Sequence, residues 1–314
     1  MNVLLAGASG AIGVPLTRHL ISAGHKVVGL SRTPNNHDAL RALGAEMMVV
    51  DALDRDALLR AVDGLGADAV IHQLTALRKA PPRVRDDDPT STLRVRGTSN
   101  LLDAAELVGA RRFLVQSLIF GYGYGDHGTR KLTESDPFGR AQGGYADPVV
   151  AALESAEHQA FAAKEVGSIA LRYGIFYGPN TFSALFVGMM RKRLLPIPRG
   201  GGGETCWVHV EDAAAATVAA LERGTPGRAY NVVDEKPVSW RDFAWALADA
   251  FETPGPWEVP YPVLRLAAPY LAVMMASTLR VSNDRARREL EWTPSMPTYR
   301  EGIRRMKNLP RQAA

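Results

Sequence analysis

One cysteine, Cys206, occurs in 314 residues, so no internal disulfide framework is possible and a reducing, cytoplasmic compartment is expected. Charge is scarce in excess: 37 Lys and Arg against 33 Asp and Glu leave +4. No basic stripe is interleaved with aromatics, which argues against nucleic acid as a partner. Long apolar runs are also missing. The longest, Tyr261 to Leu279, is interrupted by Pro262, Arg265 and Pro269, so it is expected as a buried or groove-lining helix and not as a membrane span. The chain enters an apolar run at Asn2 without a basic leader or cleavage site, and no signal peptide is expected. No His/Cys/Asp/Glu spacing suits a metal, and no Gly-x-Ser-x-Gly elbow is found.

What is present is an alternation. Val3–Ala6, Lys26–Leu30, Glu46–Val50, Ala69–His72, Arg112–Gln116 and Ser168–Leu171 read as strands, separated by helical patterns such as Ile12/Leu16/Leu20 and Leu93/Leu101/Ala105. That order predicts an α/β fold, a Rossmann-type doubly wound parallel sheet over residues 1–179. After Tyr177-Gly-Pro179 the composition turns to Pro and Gly. Residues 180–314 are expected as a smaller mixed α/β part that binds substrate, with Ser239 and Asp242 boxing the start of a helix over 240–250.

Gly7-Ala-Ser9-Gly10-Ala11-Ile12-Gly13 lies between the first strand and the first helix. Gly7 suits the tight turn, Gly10 the close approach of a pyrophosphate, and Gly13 the packing of helix on strand. The helix N-terminus supplies amides and a positive dipole end to phosphates. At the end of the second strand the sequence reads Leu30-Ser31-Arg32-Thr33, with no acid before Asp38. An acid there would hold ribose hydroxyls; Arg32, aided by the Ser31 and Thr33 hydroxyls, suits a 2′-phosphate instead, so NADP(H) is expected over NAD(H).

With several downstream segments, these residues resemble the extended short-chain dehydrogenase/reductases, the NAD(P)-dependent epimerase/dehydratase family. The segments are Val49-Val-Asp51-Ala52-Leu-Asp54, His72-Gln-Leu74-Thr75-Ala76, Arg96-Gly-Thr-Ser-Asn-Leu-Leu-Asp-Ala-Ala105, Leu171-Arg-Tyr173-Gly-Ile-Phe-Tyr-Gly-Pro179, Trp207-Val-His-Val-Glu-Asp212 and Arg288-Glu-Leu-Glu-Trp-Thr-Pro294. The resemblance implies that Asp51, Ala52, Leu74, Thr75, Ala76 and Tyr173 lie beside the cofactor, and it implies a homodimer. It also implies a Tyr-x-x-x-Lys pair on the helix after the fifth strand, where the lysine lowers the tyrosine's pKa. The chain departs from the family there. Taking Glu157 as the glutamate that follows the lysine puts Val149 and Leu153 at the two positions; taking Tyr145 as the tyrosine puts Val149 at the lysine.

The resemblance implies that Ser117, at the end of the fifth strand, is the hydroxyl that hydrogen-bonds the substrate oxygen, and Tyr122, Tyr124 and Tyr145 are the candidates for a substitute proton donor. Alternating glycines in Phe120-Gly-Tyr122-Gly-Tyr124-Gly125 would let a phenol approach a bound ring, or would simply form a loop with partly buried tyrosines. His209 and Asp212 are expected at the interface between the two parts, and Cys206 as packing. The expected function is NADP(H)-dependent hydride transfer to a small hydroxylated or carbonyl substrate. The alternatives are a sugar-nucleotide epimerase or dehydratase, and a non-catalytic NADP(H) sensor.

Overall fold

In a computed structural model, residues 1–76, 84, 88–141 and 143–308 are described. Seven parallel strands form the central sheet: β1 (Asn2–Ala6), β2 (Lys26–Ser31), β3 (Glu46–Val49), β4 (Ala69–His72), β5 (Arg112–Leu118), β6 (Gly167–Tyr173) and β7 (Arg228–Val232). Their order across the sheet is β7-β6-β5-β4-β1-β2-β3. Strand order reverses between β1 and β4, and a crevice opens there at the carboxyl ends of the strands. The strands are apolar on both faces because both are covered. Leu5, Ile71 and Leu171 face one helical layer, and Leu4, Val70 and Phe113 the other; all six are buried.

The expected boundary at residue 179 is crossed. The helix Val210–Arg223 and strand β7 lie beyond it in sequence, yet they belong to the nucleotide-binding half. That helix packs on the first helix, Gly13–Ser22, where Arg18 and His19 both meet Glu211. A second core gathers Ile175, Trp207, Phe243, Met275 and Leu279 with Tyr299 and Ile303, while Ala286, Leu290 and Trp292 return to the core of the nucleotide-binding half. In the second core Trp207 is stacked on Phe243 (3.7 Å between centroids) and Trp240 is edge-on to Trp207. Ser239 caps the helix Trp240–Phe251 by accepting from the Asp242 amide at 3.0 Å.

The apolar run from Tyr261 forms two short helices, Tyr261–Ala267 and Pro269–Ala276. The break at Ala268 precedes a proline, whose ring disfavours helical backbone in the residue before it. Among the described residues no helix is long and apolar enough to cross a membrane.

Candidate functional site

A cavity of about 630 Å³ runs from the glycine loop, across the ends of β4 and β5, to the helix Pro269–Ala276. At one end the sequence builds an anion cradle. Gly7 takes φ +93°, and a Cβ there would meet the Gln73 carbonyl oxygen at 2.8 Å. At Gly13 a Cβ would stand 2.1 Å from the Gly7 carbonyl oxygen, so only glycine lets this helix begin so close to the loop. Gly10 differs: a Cβ there would approach only the Gly7 oxygen, at 3.2 Å, and would otherwise project into the space the loop leaves open.

The first helix has no side-chain cap and no acid in its first turn. Val14 and Leu16 spend their amides on the Gly10 and Ile12 carbonyls and Pro15 has none, so among the described residues the amides left for an anion are those of Ala11, Ile12 and Gly13. Gly7, Ser9, Gly10, Ala11 and Ile12 line the cavity, followed by Ser31, Arg32, Asp51, Ala52, Leu74, Thr75 and Ala76. This uncapped cradle fits a dinucleotide's pyrophosphate. Gly13 packs behind the loop and does not line it.

Details at the second strand differ from expectation. The Ser31 hydroxyl is already engaged, donating to the Thr33 carbonyl at 2.7 Å and accepting from His37 Nε2 at 2.7 Å. Its part is to set the turn, and Arg32 lines the cavity at its exposed rim. Asp51 holds its own loop by accepting from the Leu53 amide at 2.9 Å. Tyr173 does not touch the cofactor groove. It is fully buried, with its hydroxyl between Gln73 Nε2 (2.9 Å) and Thr217 Oγ1 (2.7 Å), and the next residues, Gly174, Ile175 and Phe176, form the wall.

The four residues put forward for chemistry are not brought together. Side chains alternate along a strand; Gln116 and Leu118 line the cavity, while Ser117 is buried away from it with its Oγ unpartnered. Tyr122 lies in a buried network. Its hydroxyl donates to Asn231 Oδ1 at 2.8 Å and accepts from Arg172 Nη1 at 3.1 Å, and Arg172 is clamped on Glu157 at 2.8–2.9 Å. Burial pushes the Tyr122 phenol up to about 12, which makes it a poor base at neutral pH.

Tyr124 is stacked on Phe120 (4.8 Å) and hydrogen-bonded to Tyr270, behind the wall. Tyr145 is 49% exposed, outside the cavity. The glycines between these residues serve packing: a Cβ on Gly121 would strike the Phe138 ring at 2.4 Å, and one on Gly123 would meet Gly139 Cα at 3.0 Å. Val149 and Leu153 are core residues of the helix Asp147–Ala162 and do not line the cavity.

His209 caps its helix through Nδ1, and Asp212 ties in Ser295 and Met296 through their amides. Cys206 is buried, and burial raises its thiol to about 12, so it is inert packing.

Reading residues from the sequence misses the far end of the cavity. Leu118, Phe120, Ile175, Phe182, Phe186, Trp240, Tyr270, Leu271 and Met274 make it apolar, and Arg94 is set among them. Arg94 belongs to a π-helical turn, Leu93–Gly97, and is only 5% exposed. An interrupted apolar run next to a groove was the one signal for Tyr270, Leu271 and Met274. Nothing in the helical periodicity points to Arg94.

The geometry agrees with what known proteins show. The model of the NAD dependent epimerase/dehydratase family matches residues 3–233. A Streptomyces sp. protein named 3-diazoavenalumate denitrifying reductase is 38% identical, covering 97% of this chain and all of its own length. The 2-alkyl-3-oxoalkanoate reductase of Stenotrophomonas maltophilia is 25% identical, with 98% of each chain covered. In fold, the chain is similar to UDP-glucose 4-epimerase of Thermotoga maritima, with a TM-score of 0.81, 19% identity, and coverage of 98% of this chain and 97% of the other. The chain is thus an enzyme of the NAD dependent epimerase/dehydratase family.

Proposed function

We propose that this enzyme is an NADPH-dependent reductase whose substrate needs no side-chain acid or base at the reacting carbon. The observation that carries this reading is the far end of the cavity. Leu118, which ends β5, and Phe120, just after it, line it in place of a hydroxyl, and Val149 and Leu153, where one alignment with the family would put the pair, are packed in the core. When bound, the reduced dinucleotide supplies a hydride. The glycine loop would hold its pyrophosphate, Arg32 its 2′-phosphate, and Asp51 and Ala52 its adenine side.

Apolar walls exclude water and favour an electrophile that accepts hydride without a proton. The 38% identical relative is named for such chemistry on a diazo carboxylate. For an aryl diazonium group, the hydride forms a C–H bond as the C–N bond breaks, and its electron pair leaves with dinitrogen. The sum Ar–N₂⁺ + H⁻ → Ar–H + N₂ balances with no proton from the protein. Sugar-nucleotide epimerisation removes and returns a hydroxyl proton, for which these walls offer no base.

A second reading, carbonyl reduction, is supported by Tyr270, the only phenol lining the cavity among the described residues. The test is NADPH consumption with an aryl diazonium carboxylate, a 3-oxoalkanoate and UDP-glucose, in wild type and Tyr270→Phe. Turnover of the diazonium compound by both proteins is expected. Turnover of the oxo acid alone, lost in Tyr270→Phe, would establish the second reading and overturn the first.

A further inference from the structure

Arg94 places a guanidinium in an apolar wall. It is 5% exposed and lines the cavity, and among the described residues it has neither a hydrogen bond nor an ion pair. Asp88, the acid within electrostatic reach, spends its Oδ2 on the amides of Thr90 and Ser91 at 3.0 Å each. Burying an unpaired charge is costly, and an arginine does not escape by losing its proton. Burial nevertheless pulls its pKa downward, the direction set by lost hydration.

The local backbone is arranged to put it there. Arg94 sits in a π turn, Leu93–Gly97, a rare local departure from the α-helical repeat that is frequent at functional sites, and it is buried there with Leu93 and Gly97. The buried, neutral His72 braces that turn near Leu93 while accepting from the Leu74 amide at 3.1 Å. Beside Arg94 stand two phenols in series, Tyr124 and Tyr270, joined at 2.9 Å, with only Tyr270 reaching the cavity.

The geometry points to Arg94, assisted by the Tyr270 hydroxyl, as the anchor for a carboxylate on a planar, apolar substrate. A carboxylate matches the flat fork of a guanidinium and takes a further hydrogen bond from a phenol. Phe120, Leu118, Leu271 and Met274 would cover the rest of such a molecule. One guanidinium in apolar surroundings suits a single negative charge and not the two of a nucleoside diphosphate. This inference rests on the reading that the compound reduced enters the apolar end.

Calorimetric titration of the NADP⁺-loaded protein with cinnamate and cinnamamide, near-isosteres of which only the first carries the negative charge, tests it without turnover. The acid is expected to bind wild type about tenfold or more tightly than the amide. In Arg94→Met, a substitution of similar length and apolar character, that preference is expected to vanish while amide and NADPH affinities stay within twofold. Tyr270→Phe is expected to narrow the preference in part. Equal binding of acid and amide by wild type would overturn the inference, as would an Arg94→Met protein that still prefers the acid, or tighter binding of UDP-glucose than of cinnamate. A reductase assay that failed beside a retained acid preference would reject the reaction and leave the anchor standing.

Discussion

Replacing Tyr122 by phenylalanine separates a structural phenol from a chemical one. Its hydroxyl makes two buried hydrogen bonds, donating to Asn231 Oδ1 and accepting from Arg172. Phenylalanine removes both and keeps the ring, so the Arg172 guanidinium still lies over it, 5.1 Å from its centroid. Arg172 keeps its two-pronged pairing with Glu157, which limits the loss on that side. Asn231 Oδ1 is left in a fully buried residue without a donor. A stranded acceptor plus one charge-assisted bond amounts to about 2–4 kcal/mol. For a chain of this size each kcal/mol lowers Tm by roughly 2 °C, so a fall of about 4–8 °C is expected. Calorimetry gives Tm, and NADPH consumption at a temperature well below it gives kcat, which should stay within about twofold of wild type. An unchanged Tm with kcat lowered about a hundredfold would refute this placement and return Tyr122 to the chemistry.

Gly10→Val should fold with wild-type Tm and lose dinucleotide binding in a fluorescence titration, because its side chain would enter the open cradle and not the core. Arg32→Ala should weaken NADPH by roughly tenfold to a hundredfold and leave NADH unchanged, removing the difference between the two. Stability should fall as pH drops from about 6.5 to about 4. Burial lowers His72 and His209 to about 4 from 6.5, so between those values the unfolded chain takes up protons that the folded chain refuses. Urea midpoints at pH 7, 6 and 5 check this; a constant midpoint would mean that these histidines are charged in the fold.

The nucleotide half was legible because its signals are local. Gly10 and Gly13 are explained by atoms within one turn of chain and Gly7 by its positive φ as well as by the close Gln73 backbone, and six of the seven strands follow from runs of apolar residues. Strand β7 was not read, because Arg-Ala-Tyr-Asn-Val carries two polar residues in five and pairs with β6 across more than fifty intervening residues.

The chemical end of the site was misread for geometric reasons. A strand's two-residue period makes a shift of one position decisive, so Leu118 and not Ser117 faces the cavity. Tyr173 fails in the same way, one residue before the wall begins at Gly174. Arg94 was hidden by the π turn, which breaks the 3.6-residue period from which its side of the helix would be judged.

Transfer of label from NADPH deuterated at the nicotinamide C4 to an aryl diazonium carboxylate, followed across pH 6–9, tests direct reduction without a protein acid. One deuterium at the carbon that bore nitrogen is expected, with one equivalent of dinitrogen and a kcat constant within about twofold over that range. A product free of deuterium, or a bell-shaped profile that demands an ionising acid and base, would contradict it.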